Sequence, residues 1–479
     1  MAYRVICFLW SPLLGMSALV LSGVVAMSAL LHEPIGYFLP SLVLLYGASG
    51  WCWYAGRRHE RQIHIPSAAW LMLLAWVVLS LAGMLPYALS GMTTWLDAWF
   101  DAVATVTTTG LVVCPAVYVQ ALPSFWLWHS ALGWLGGLQF LAFVVTVLPL
   151  VSTSLTMSVQ GRQNVSFSPM VHPMLGRTAK VLAIYVGITV AAILLYLAAG
   201  ATLYEAVVQA GLTVSTTGGI GVLSPDSLFV ELAALLPLLV VSGNFLLYLK
   251  GGERRSLRTI FTDAEWQVLV GIIVVATVIA AGQLWHDGGY TAAGSAVQGL
   301  FHVLSFLSTT GMMAGAVSSW PELDKGVLFI LPFMGASMAS LAGGLRVMRL
   351  IILCKMAKNE LNRTIHPHMV ISFTVNGRAV ETNVVSFVLA YFFLFMTTYF
   401  VSAIILSLAG ITPLQALGMA VGCLTSVGAT APLFGLTDIW ALPVWFKIYS
   451  TVVMIVGRME IFALCILIKT VLQAARRPW

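Results

Sequence analysis

Long apolar runs alternate with short polar breaks along nearly the whole chain. Runs long enough to cross a bilayer as helices fall at about 7–31, 36–55, 66–90, 123–150, 178–200, 228–249, 264–284, 326–356, 383–409 and 441–473. A crossing needs roughly 20 predominantly apolar residues. Four shorter segments lie between these runs, at about 94–109, 202–217, 295–310 and 412–427. They are too short to span the hydrocarbon core and fit re-entrant helices that enter and turn back. The pattern predicts an all-α polytopic membrane protein. Two leading helices (1–62) precede four units at 63–160, 161–258, 259–365 and 366–479. Each unit is a long helix, a short one and a second long helix.

Composition agrees with this pattern. Hydrophobic residues make up 60% of the 479 and charged residues 8%, and mean hydropathy is +0.96. Lipid must solvate most of such an exterior. The apolar run after Met1-Ala2-Tyr3-Arg4 is too long for a signal-peptide core and reads as a retained first helix. The cysteines Cys7, Cys52, Cys114, Cys354, Cys423 and Cys465 show no paired spacing and read as reduced packing residues.

Ten crossings put both termini on one side. With that side cytoplasmic, 17 of 23 basic residues fall in cytoplasmic segments. Lys325 alone lies outside, and Arg346, Arg349, Lys447, Arg458 and Lys469 fall within predicted helices. This is a positive-inside distribution, expected of a bacterial inner-membrane protein. The basic excess forms no single patch, which excludes nucleic acid as a partner. Ten of the 17 acids lie on or near the outer side, Asp97, Asp101, Glu231 and Asp324 among them. An acidic mouth would concentrate cations; the same bias also arises once basic residues are held inside.

The four short segments end alike, in Thr107-Thr108-Thr109-Gly110, Ser215-Thr216-Thr217-Gly218, Ser308-Thr309-Thr310-Gly311 and Thr425-Ser426-Val427-Gly428. One copy alone reads as polar residues before a helix-capping glycine. Four copies at matching places point to pseudo-symmetric helix–pore-loop–helix units around one pore. A dehydrated cation needs oxygen ligands in place of water. Backbone carbonyls supply them when the chain alternates between ordinary and positive φ, and glycine adopts positive φ without steric cost. Four such segments would stack rings of four oxygens, the arrangement of a potassium filter. The filter set is Thr108, Thr109, Gly110, Thr216, Thr217, Gly218, Thr309, Thr310, Gly311, Ser426, Val427 and Gly428, with potassium as the substrate ion and no cofactor in the chain.

On these motifs the chain resembles the Trk-type potassium uptake family, the transmembrane subunit of the Trk/Ktr/plant high-affinity potassium transporter superfamily. Gly133-Trp134-Leu135-Gly136-Gly137 is similar to the family's Trp-x-Gly-Gly stretch. His366-Pro367 resembles the His-Pro before the last unit, and Gly457-Arg458-Met459-Glu460 resembles the Gly-Arg-x-Glu of the final helix. The fourth filter departs from the family, with Val427-Gly428-Ala429-Thr430 where many members have Asn-Asn-x-Gly-Pro-Gly. The resemblance implies a homodimer of pore subunits in lipid, resting on a cytoplasmic ring of nucleotide-binding regulatory subunits. It also implies a gate below the filter.

That gate would fall in Gly335-Ala336-Ser337-Met338-Ala339-Ser340-Leu341-Ala342-Gly343-Gly344. Small residues there either pack two helices closely or break the helix into a loop across the pore, as the resemblance implies. Gly335, Ser337, Gly343, Gly344, Arg346, Arg458 and Glu460 form the expected gate set. A charge at membrane depth faces water or the protein interior, so Arg458 is expected beside the path or in a salt bridge. Lys447 and Lys469 read as helix-end residues that snorkel. His302 reads as a hydrogen-bonded packing residue. No nucleotide-binding fingerprint occurs in the chain, so nucleotide control must come from a partner. On the sequence, proton- or sodium-coupled potassium symport and less selective monovalent cation uptake are the alternatives. A membrane-embedded enzyme is disfavoured, because the outer acids are dispersed over different loops.

Overall fold

A computed structural model describes residues 3–57, 65–113, 122–146, 171–218, 228–254, 256, 258–287, 289–315, 317–366, 374–376, 378–379, 382–459, 461 and 464. Two helices lead: α1 (Tyr3–Leu30) and α2 (Leu39–Gly56). Then come α3 (Ile65–Leu89), α4 (Trp95–Val106) and α5 (Pro123–Thr146). The second unit holds α6 (Val171–Ala198), α7 (Leu203–Val214), α8 (Leu228–Ser242) and α9 (Phe245–Arg254), followed by a one-turn α10 (Arg258–Phe261). The third holds α11 (Ala264–Asp287), α12 (Ala292–Leu307), α13 (Glu322–Met334) and α14 (Val347–Ile365). After a two-residue hairpin, β1 (Thr374–Val375) and β2 (Arg378–Ala379), come α15 (Thr382–Ser407), α16 (Pro413–Thr425), α17 (Thr430–Leu433) and α18 (Val444–Met459).

Among the described residues six helices are long and apolar enough to cross a membrane, and a bent pair makes a seventh. Their outer faces carry exposed apolar side chains, such as Leu19, Val278 and Ile404 at 66–67%. In water this would be a liability; in lipid it is the expected surface.

Packing closes the units into a ring. Each short helix rests on the long helix before it: α4 on α3, α7 on α6, α12 on α11 and α16 on α15. The second long helix of each unit packs on the next unit's short helix: α5 on α7, α8 on α12, α13 on α16 and, closing the circle, α18 on α4.

All four short helices start at a threonine. Thr94, Thr202, Thr291 and Thr412 each accept a hydrogen bond from the backbone N–H three residues on. Glu205 and Gln415 complete two capping boxes. The third short helix has 16 residues against 12, 12 and 13 in the others. It therefore begins at Ala292, about one turn before the expected start at 295.

Two predicted spans are broken. The run at 228–249 bends by 86° between α8 and α9. Asn244 causes it: its side-chain oxygen accepts from Leu246 and Leu247 N–H at 3.0 and 3.1 Å and so caps a new helix. Gly243 leaves room for Tyr248, whose hydroxyl donates to the Val240 carbonyl at 2.8 Å. The run at 326–356 is interrupted from Gly335 to Arg346, so its small residues form a loop and not a continuous packing stripe.

Cys7, Cys52, Cys354 and Cys423 are free thiols; Cys354 is exposed and the others are buried. Cys114 and Cys465 lie outside the described residues, as do Lys469 and Glu460.

Candidate functional site

The four hydroxyl-rich motifs follow the C-termini of α4, α7, α12 and α16, and all their described side chains are buried. Thr108, Thr216, Thr309 and Ser426 hold φ of +55°, +58°, +61° and +59°. A β-branched residue at positive φ is a genuine outlier, and three of them recur at the same motif position. The next residue has ordinary φ. Gly110, Gly218 and Gly311 then return to +71°, +54° and +71°. The sequence predicts positive φ at the glycine; the hydroxyl residue two positions before it adopts positive φ too.

One hydrogen-bond scaffold shapes three of the loops. The N–H groups of Thr109 and Gly110 both reach the Ala104 carbonyl, at 2.7 and 3.1 Å. Thr217 and Gly218 converge likewise on Leu212, and Thr310 and Gly311 on Ser305. Behind each loop two hydroxyls pair: Thr107 with Thr109 at 3.0 Å, Ser215 with Thr217 at 2.7 Å, and Ser308 with Thr310 at 2.8 Å. These hydroxyls brace the loop. The positive-φ hydroxyls differ. Those of Thr108, Thr216 and Ser426 are buried with no hydrogen-bond partner among the described residues. Buried hydroxyls without partners are costly, and these three stand at the same position of their motifs.

The fourth loop departs after Val427. Gly428 is not at positive φ. Its N–H donates to the Thr109 carbonyl at 2.6 Å, and Val427 has no hydroxyl to pair. The chain then turns into α17.

The loops meet one another. A Cβ placed on Gly218 would sit 1.8 Å from the Thr310 oxygen. One on Gly311 would sit 3.1 Å from Ala429 Cβ and 3.3 Å from Val427 Cγ1. One on Gly428 would sit 2.6 Å from the Thr109 oxygen. Loop two thus touches loop three, three touches four, and four touches one. Glycines of the long helices admit the short helices' last carbonyls. Gly136 faces the Val106 oxygen and Gly457 the Leu424 oxygen, at 2.0 and 2.2 Å from where a Cβ would stand. This explains the Trp-x-Gly-Gly and Gly-Arg-x-Glu glycines physically.

Asp101 and His302 hold the segments that follow two of the loops, a role the sequence does not predict for either. Asp101 Oδ1 accepts from Val113 N–H at 2.8 Å. Seven residues before the third positive-φ residue, as Asp101 is before the first, His302 Nε2 accepts from Ala314 N–H at 3.1 Å. Its Nδ1 hydrogen-bonds the Gln298 carbonyl at 2.8 Å. His302 is the hydrogen-bonded packing residue expected, and it also ties down the segment after the third motif. Among the described residues, no group of three or more His, Cys, Asp or Glu gathers as a metal site.

Below the loops lies the interruption between α13 and α14. Gly335 (+64°), Gly344 (+77°) and Arg346 (+71°) turn the chain. Gly343 packs against the Thr425 carbonyl, and its N–H donates to the Thr309 hydroxyl at 3.1 Å. The loop therefore touches the third motif at Thr309 and the fourth at Thr425. Ser337 N–H donates to the Ser242 carbonyl at 3.0 Å, and Phe245 N–H to the Ala339 carbonyl at 3.1 Å. The two helix breaks are thus bonded to each other. Arg346 donates to the Met338 carbonyl. Arg458 donates to the Leu341 carbonyl at 2.8 Å, and its guanidinium lies 4.0 Å from the Phe140 ring centroid. Both arginines are about 98–99% buried. Among the described residues no carboxylate pairs with Arg458.

Two charge expectations change. Lys447 does not snorkel: its ammonium sits 2.6 Å from Asp97, both side chains buried, and also donates to the Trp440 carbonyl at 3.1 Å. Asp97, Asp101, Glu231 and Asp324 are buried, so they cannot form an exposed acidic mouth; Asp287, Glu322 and Asp438 remain exposed.

A profile of the TrkH family, described as cation transport protein, matches residues 38–228 and 264–476. The chain is 28% identical over 446 residues to the Trk system potassium uptake protein TrkG of Escherichia coli K12, covering 90% of each chain. It is 27% identical over 491 residues to TrkH of Halomonas elongata, covering 98% of each. The crystal structure of the potassium transporter TrkH from Vibrio parahaemolyticus superposes with a TM-score of 0.86 and 23% identity, covering 98% of both chains, and carries the fold. The chain therefore belongs to the TrkH family of cation transport proteins, which are transporters and not enzymes.

Proposed function

We propose that this chain conducts potassium into the bacterial cell across the inner membrane, through a filter made by the four loops. The observation that carries this reading is the repeated positive-φ hairpin. Three copies alternate in the same way, each loop touches a neighbouring loop, and three of the four positive-φ hydroxyls have no partner among the described residues. Rings of carbonyl and hydroxyl oxygens replace the water of an ion about the size of potassium. The short helices end at the loops, so the negative ends of their dipoles favour a cation there. The relatives named above are potassium uptake proteins, which fits.

The units at 63–160, 161–258, 259–365 and 366–479 each supply one hairpin, and residues 1–62 add the outer helical pair. Both termini lie in the cytoplasm, a reading that the positive-inside distribution of charge supports. The membrane potential drives uptake, worth about 2.3 kcal/mol per charge per 100 mV. The loop from Gly335 to Arg346 is the gate, held under the filter by its bond to Thr309 and by Arg458. Arg346 and Arg458 place positive charge beside the path and oppose a resting cation. The chain works as a homodimer on cytoplasmic nucleotide-binding regulatory subunits, and these subunits open the gate.

Growth of an uptake-deficient bacterium at limiting potassium, with and without a regulatory subunit, tests the reading. The chain should restore growth. Membrane-inserted protein that carries no rubidium would overturn it. A second expectation concerns the gate. Arg458→Gln loses a charge-assisted hydrogen bond and a ring contact, each worth about 1–3 kcal/mol when desolvated. Basal rubidium flux in proteoliposomes should rise by about tenfold. Unchanged flux in a stably folded variant would remove Arg458 from the gate.

A further inference from the structure

Glu265 stands at the start of α11, is 1% exposed, and has no place in the filter. Its two carboxylate oxygens reach two different breaks in the membrane helices. Oε1 accepts from Met338 N–H, in the loop under the filter, at 2.6 Å. Oε2 accepts from the Asn244 side chain, at the bend between α8 and α9, at 3.2 Å. Met338 is also the residue whose carbonyl receives Arg346. One carboxylate therefore holds the peptide on which the loop turns.

The same helix end is held from the other side. Asp263 Oδ1 accepts from Glu265 N–H at 2.9 Å, and Asp263 Oδ2 accepts from the Asn376 side-chain amide at 2.9 Å. The Asn376 side-chain oxygen accepts from Ala264 N–H at 2.9 Å. Asn376 is exposed, at φ +51° in the turn of the β1–β2 hairpin. Lys355, on the exposed part of α14, donates to the hairpin's Thr374 carbonyl at 2.6 Å. An unbroken series of hydrogen bonds thus runs from an exposed hairpin through Asp263 to Glu265 and the loop. The hairpin lies on the side that the basic residues mark as cytoplasmic.

We propose that Glu265 is the positioning residue of the intramembrane loop, and that the hairpin turn at Asn376 sets Glu265 and so the loop's resting position. The proposal rests on reading that loop as the gate. Movement of the hairpin, as by a protein docking on the cytoplasmic face, would shift the start of α11 and slacken the loop's anchor. Coupling of this kind travels through contiguous bonded elements with two arrangements. The carboxylate suits the position because it offers two oriented acceptors at once. A backbone N–H left without its acceptor at membrane depth is costly, so the loop follows Glu265.

The test is basal rubidium flux of the full-length protein in liposomes without any partner, with thermal stability measured in parallel. Glu265→Ala should raise flux by about 3- to 10-fold, the range expected for losing one hydrogen bond from the closed state. Glu265→Gln keeps an acceptor for Met338 and should stay nearer wild type. Asn376→Ala is exposed and threatens folding least; it should raise flux about 3-fold. That rise should vanish in the Glu265→Ala background, because both act through one linkage. Independent, additive effects, or wild-type flux in a stable Asn376→Ala variant, would overturn the linkage. Deleting Ser337 to Leu341 separates this from the gate reading. If the deletion raises flux and the Glu265 variants do not, the loop is the gate and Glu265 is not its anchor. If the deletion also leaves flux unchanged, the gate reading fails and takes the proposal with it.

Discussion

Gly218→Ala is expected to abolish potassium uptake, with rubidium transport at least about tenfold below wild type. Two costs combine. A residue with a Cβ at φ +54° in this loop bears a left-handed penalty of about 1–2 kcal/mol. The added carbon would also stand 1.8 Å from the Thr310 carbonyl oxygen. That oxygen is backbone, so no rotamer change relieves the overlap. Loops two and three must separate, and the proposed rings lose register. Gly311→Ala provides the contrast. Its new carbon meets side-chain carbons of Ala429 and Val427 at 3.1 and 3.3 Å, which yield by small shifts. That variant should keep transport and lose preference for potassium over sodium. Rubidium uptake with sodium competition reads both. Wild-type uptake and sodium exclusion in Gly218→Ala would show that these loops do not form the filter.

The largest stability effect is expected at the Lys447–Asp97 pair. It joins α18 to α4, elements 350 residues apart, where the last unit closes on the first. Both groups are buried, and Asp97 also accepts from the Thr94 hydroxyl at 2.7 Å. Removing one partner leaves an uncompensated charge, which costs about 3–5 kcal/mol. Asp97→Asn and Lys447→Met should therefore each lower the melting temperature strongly. The double variant Asp97→Leu with Lys447→Met should recover most of the loss, because no buried charge remains. Thermal unfolding of detergent-solubilised protein completes the double-mutant cycle. Additive losses in the double variant would mean that the two charges do not act as a pair.

Much of this was legible from hydropathy, because lipid imposes a simple rule. A segment either spans as a closed helix or hides its backbone in protein. The four short helices stand out since they are too short to span. The threonines that cap them were missed, although Thr94, Thr202, Thr291 and Thr412 all precede their helices directly. They would have placed the third start at Ala292. The kink at Asn244 was missed because Ser242-Gly243-Asn244 sits inside an apolar run that averages it away. The break after Gly335 was open on the residues, since small side chains suit close helix packing equally well. The fates of Lys447, Asp97 and Glu265 were not legible, since each depends on a partner far away in the chain.

What is local and repeated can be read along the chain: where helices must cross, where four short ones must turn back, and where hydroxyls and glycine follow them. Period and length in an apolar solvent suffice for that, because each helix satisfies its own backbone. Folding in three dimensions sets which second helix packs on which short helix, which carbonyls face a glycine, and which buried charges meet. Those outcomes depend on elements up to 350 residues apart, and no local pattern in the chain encodes a distance between them.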